Sequence, residues 1–113
     1  MKTSELIGTA LDWAVAKCEG RQEPELVNNF AVAWYTWPNT HYSTSWHEGG
    51  PIIEREWVDL HCVNDSLWEA ECPAVGGLAM QNGPTPLIAA MRCYVASKLG
   101  DDVTLPPELE QSA

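Results

Sequence analysis

Positive charge is what this chain has least of. Six lysines and arginines stand against 16 aspartates and glutamates in 113 residues, a formal charge of −10. A surface of that sign repels phosphate backbones and argues against general DNA or RNA binding, whereas a basic protein is a natural partner. No apolar run approaches the about 18 residues that cross a bilayer, and Met1 to Gly8 has no apolar signal core, so the expected setting is cytosolic and without membrane contact. Cys18, Cys62, Cys72 and Cys93 form no Cys-x-x-Cys pair, which excludes the usual zinc and thioredoxin-type motifs, and all four are expected as free thiols. His41, His47 and His61 fit no zinc spacing either. There is no Gly-x-Ser-x-Gly elbow and no other local nucleophile signature, so neither enzymatic activity, metal nor cofactor is expected. Internal repeats and low-complexity tracts are also missing.

What is present suffices for one packed domain: 45% of the residues are apolar and six are tryptophans. From Ser4, with Thr3 as the competing cap, Leu6, Ile7, Ala10, Leu11, Ala14 and Cys18 recur at helical spacing, and Gly20 offers a left-handed stop after Glu19. Phe30 to Trp37 is rich in β-formers and reads as a strand. Ser43 or Thr44 caps a helical turn through Trp46, Gly49-Gly50 breaks it, and Pro51 opens a second short helix through Trp57. Val58 to Val63 and Leu67 to Cys72 alternate around Asn64-Asp65-Ser66 and predict a β-hairpin. Pro73 to Asn82 reads as a flexible loop. A helix follows from Thr85 to Leu99, with Leu87, Ile88, Met91, Val95 and Leu99 on one stripe. The predicted class is α+β, a small antiparallel sheet of about three strands packed with two main helices and a short connecting helix. Residues 1–102 form the domain, and 103–113 a polar tail that frays.

One stretch combines chemistry that core packing alone would not select. Tyr42 and Trp46, with Trp34 from the predicted strand, offer flat apolar faces, and Ser43, Thr44 and the Gly49 and Gly50 amides offer hydrogen bonds at close range. Arg55 and Arg92 can clamp an anion, and the free amides opening the last helix at Thr85 add partial positive charge. These residues together predict a site for a small anionic ligand. The bland alternative pairs the two arginines with Asp12, Glu54 or Asp59 in an internal ion network and places the tryptophans in the core.

Leu11 to Lys17 with Gly20, Tyr42-Ser43-Thr44, Gly49 to Glu56 and Pro84 to Arg92 carry a further signal: over nearly the whole chain these segments resemble the NinX family of small bacteriophage proteins. More distantly, Tyr42-Ser43-Thr44 and the Pro86 to Arg92 helix resemble the phage α-β-α sandwich domain, which implies the same α+β layering. The resemblance implies a phage accessory protein in the host cytoplasm and supplies no mechanism. Joined to the predicted pocket, it gives the expectation of a protein that sequesters a small anionic, nucleotide-like host molecule, such as a defence signal, without catalysis. The competing expectation is an acidic inhibitor or DNA mimic acting on a host protein. Six tryptophans exceed what about three strands cover from one side, so a homo-oligomer is expected, with interfaces near Tyr94 and Lys98 and on the outward side of Phe30 to Trp37.

Overall fold

The computed structural model describes residues 1–20, 41–106 and 109. The predicted strand from Phe30 to Trp37, with Trp34, lies outside them. The described elements are a 3-10 turn at Thr3–Glu5, helices α1 (Gly8–Cys18) and α2 (Trp46–Arg55), strands β1 (Asp59–Asn64), β2 (Leu67–Ala74) and β3 (Gly77–Gly83), and helix α3 (Pro86–Leu99). The strands form an antiparallel meander in the order β1-β2-β3. The α+β class expected from the sequence holds.

Helix α3 organises the molecule. Pro86 opens it, where a missing N–H costs nothing, the Thr85 hydroxyl accepts from the Ile88 N–H at 3.1 Å, and Gly100 ends it at φ 86°. Leu87 to Val95 are all buried. The single apolar stripe expected here is thus corrected: α3 has no solvent face over these residues because it is sandwiched. On one side Ala89 and Cys93 meet Ala70, Cys72 and Ala79 of the sheet. On the other, Met91, Tyr94 and Val95 pack with Leu11, Trp13, Val15 and Ile52. Small side chains let α3 approach the sheet closely, and a Cβ on Gly83 would lie 2.9 Å from both the Ala89 nitrogen and Ile88 Cγ2.

Four further expectations change. The flexible loop predicted for Pro73 to Asn82 is the end of β2, a turn and β3. Pro73 lies beyond Glu71, the last β2 residue with a β1 partner before the turn, so the ladder has an open side there for a residue without an N–H. Gly76 at φ 83° then makes the reversal. The first helix begins at Gly8 and not at Ser4: the Thr3 N–H donates to Asp101 O, its hydroxyl donates to Gly100 O, and Leu6 O accepts from Arg92 Nε. These long-range bonds hold Leu6 and Ile7 extended against their local preference. Gly49-Gly50 does not break a helix, since α2 runs from Trp46 through Pro51 to Arg55, with Ser45 at the N-cap position and no side-chain cap bond. Finally, the tail expected to fray places Val103, Leu105 and Leu109 in the core, and Met1 and Val103 exchange backbone hydrogen bonds at 2.9 and 2.8 Å.

Candidate functional site

The Tyr42 to Glu56 stretch and the start of α3 do meet, through packing. Gly49 lies so close to its neighbours that a Cβ would stand 2.6 Å from both Leu87 Cδ2 and the Tyr42 carbonyl oxygen. Tyr42 and Ser43 are buried. The Ser43 N–H donates to Asp12 Oδ1 at 2.8 Å, tying this turn to α1. Burial raises the Asp12 carboxyl above the ordinary range, and the hydrogen bonding from Ser43 opposes that rise. Glu48 accepts the His41 N–H and closes the turn before α2. Thr44, Trp46 and Thr85 are exposed, and Gly50 is half-buried.

The two arginines have separate environments. Arg92 is 9% exposed, donates from Nε to Leu6 O at 2.8 Å and from Nη1 to Asn82 O at 2.9 Å, and so joins the segment before α1 to the end of β3. No carboxylate pairs with it among the described residues, and burial lowers its pKa. Arg55, at the end of α2, grips both Glu19 oxygens, Glu56 at 2.8 Å and the Tyr94 hydroxyl at 3.2 Å. Its guanidinium stands 5.7 Å from the Tyr94 ring centre. Lys98 reaches the other Glu56 oxygen at 3.3 Å. The acids in this network are Glu19 and Glu56, not the Asp12, Glu54 or Asp59 that the sequence suggested. Tyr94, expected on an exposed flank of the last helix, is 2% exposed. Its hydroxyl donates to Glu19, and burial together with that carboxylate raises the phenol pKa.

A concave surface lies elsewhere. A groove of about 300 Å³ lies beside the start of β1, lined by Trp57, Asp59, Glu71, Cys72, Pro73 and Leu78; of the strand residues in it, Cys72 alone turns its side chain to α3. Strand alternation explains its chemistry: Ala70, Cys72 and Ala79 face α3, so Glu71, Leu78 and Met80 face out. Asp59, Glu71 and Met80 are register partners in one row, and His61, Glu69 and Asn82 in the next. Trp57 is 78% exposed, Leu78 63% and Met80 61%. The sequence does not reveal this site, because Leu78 and Met80 fall in a stretch that reads as a loop. The readable signal was the polar alternation of Asp59, His61, Glu69 and Glu71, which marks one outward face.

The profile of the family Bacteriophage P22, NinX matches residues 2–98. The chain belongs to the NinX family. The match runs from the N-terminal segment to the last turn of α3 and spans Arg55, Arg92 and the groove. Membership gives this NinX-family chain a phage lineage and carries no activity with it. A search among curated proteins finds no match. Among the described residues no helix is long and apolar enough to cross a membrane.

Proposed function

We propose that this NinX-family protein is a phage accessory protein that acts without catalysis, by binding a basic host protein. The observation that carries this reading is the internal use of Lys17, Arg55, Arg92 and Lys98, four of the five cations among the described residues. Arg55 is engaged by Glu19 and Glu56, Lys98 by Glu56, and Arg92 by the carbonyls of Leu6 and Asn82. Lys17 lies over the Trp13 ring, 5.2 Å from its centre. The remaining field is that of the carboxylates, which favours encounter with positive surfaces. Sequestration of a small anion, the other expectation, requires Arg55 to exchange Glu19 and Glu56 for a ligand and Arg92 to leave two backbone oxygens. Protein binding requires neither change.

Chemical cross-linking of tagged protein in infected cells, followed by mass spectrometry, tests the proposal. The expected result is a host protein cross-linked through a lysine- or arginine-rich surface, with capture from lysate lost at high salt. A protein that carries a small anion in native mass spectra and cross-links to no host protein would return the function to small-molecule sequestration.

A further inference from the structure

Two features that cost the isolated chain stability meet around the groove. Trp57 occupies the residue position just past the C-cap of α2 at φ 57°, while the Val58 N–H donates to Ile53 O at 3.0 Å, the bond that closes a helix with a left-handed residue. Glycine is favoured there because a Cβ crowds the backbone, and a bulky side chain with positive φ is an outlier. Trp57 recovers little by burial, since it is 78% exposed. The second feature is the direct register pairing of Asp59 with Glu71, like charges on neighbouring strands, which is unfavourable. Such local costs at an exposed site mark function more often than folding.

Resting on the protein-binding reading above, we propose that the outward face of the sheet, centred on Trp57, is the docking surface, and that its occupant is an extended basic segment of another protein in which arginine or lysine alternates with apolar residues. An apolar side chain of that segment enters between Trp57 and Leu78, beside Pro73. Its cations meet Asp59 and Glu71 in the first row and Glu69 in the next. Charge complementarity selects this occupant over a second copy of the chain. The rows from Asp59 to Met80 and from His61 to Asn82 contain no lysine or arginine, so a self-related face would oppose carboxylates to carboxylates. An exposed tryptophan beside apolar neighbours with a charged rim has the composition of an interaction hot spot.

The test uses the full chain and two fluorescein-labelled peptides, one alternating arginine with leucine and the other glutamate with leucine, read by fluorescence anisotropy. The arginine peptide should bind the wild type, and Trp57→Gly should weaken it by about tenfold or more while raising the thermal midpoint, because glycine suits the backbone. The double variant Asp59→Asn with Glu71→Gln should weaken binding and flatten its salt dependence. Asp101→Asn with Asp102→Asn, which removes the same charge elsewhere, should leave binding unchanged. The glutamate peptide should not bind. Equal affinity of the wild type and Trp57→Gly, or equal losses from the two charge variants, would overturn the assignment of this face. A dimer in sedimentation that Trp57→Gly converts to monomer would overturn it too, by showing a second copy as the occupant. If Trp57→Gly still cross-links the same host protein in infected cells, this face is the wrong one although protein binding stands. If the wild type cross-links no host protein, the broader reading fails as well.

Discussion

At the scale of single residues, the glycine pair in α2 separates packing from conformation. Gly49 faces Leu87 and the Tyr42 carbonyl with no room for a methyl group, whereas the nearest atom to a Cβ on Gly50 is Trp46 Cε3 at 4.0 Å. Gly49→Ala should therefore destabilise the fold by about 1–3 kcal/mol, since a backbone carbonyl cannot swing aside as a side chain can. Gly50→Ala, in the same helix, should stabilise it by about 0.5–1 kcal/mol by restricting the unfolded chain. Urea midpoints of the two variants check both signs, and equal shifts would mean that the contact at Gly49 relaxes freely. The sequence reads this pair as a helix break, whereas the helix continues through it and only Gly49 makes a close approach. A run of helix-compatible residues on both sides outweighed the propensity penalty, and only the position of Leu87 distinguishes the two glycines.

At the scale of elements, the C-terminal end of α2 is held to α3 by charge. The Arg55 guanidinium, and then Lys98, keep the Glu56 carboxyl below its ordinary value of 4.5. A folded-state value below the unfolded one contributes stability that is complete above the unfolded pKa and is lost as pH falls through the folded pKa. The wild type should thus lose more stability than Glu56→Gln between neutral pH and strongly acid pH, with the divergence beginning near pH 4.5. Denaturant midpoints of both proteins at a series of pH values measure that difference, and parallel curves would show that the Arg55 and Lys98 contacts carry no net coupling. The hairpin turn and the cap of α3 were legible in advance because their chemistry is local: Asn64 Oδ1 accepts from the Ser66 N–H and hydroxyl, and Thr85 caps Ile88. Strand β3 was not legible, because Pro73 and two glycines read as breakers unless the missing β1 partner is known. The same error hid Leu78 and Met80, and with them half of the groove. Arg55 and Arg92 stood out for good reason, but their partners, Glu19, Leu6 and Asn82, are distant in sequence and no spacing rule reaches them.

At the scale of the whole molecule, the four cysteines report on the layers. Cys62 is exposed, Cys18 is half-buried with a thiol pushed up to about 12 by burial, and Cys72 and Cys93 are buried where the sheet meets α3. Their sulfurs lie 3.4 Å apart, with the Cys93 thiol donating to Cys72. That donation favours a thiolate on Cys72, yet access limits its reactivity more than its proton affinity does. Native alkylation followed by mass spectrometry should show one fast thiol, Cys62. Cys72 and Cys93 should label together, at the rate at which the sheet separates from α3. Labelling of either as fast as Cys62 would mean that the two layers part without global unfolding. The sandwiched position of α3 also governs how the protein is born. Met1 and Thr3 bond to residues 100 to 103, and both core layers close on this one helix. Until α3 has been made and has docked, neither the sheet nor α1 has its apolar cover, so a nascent chain without it has no closed core and stays open to proteases and chaperones.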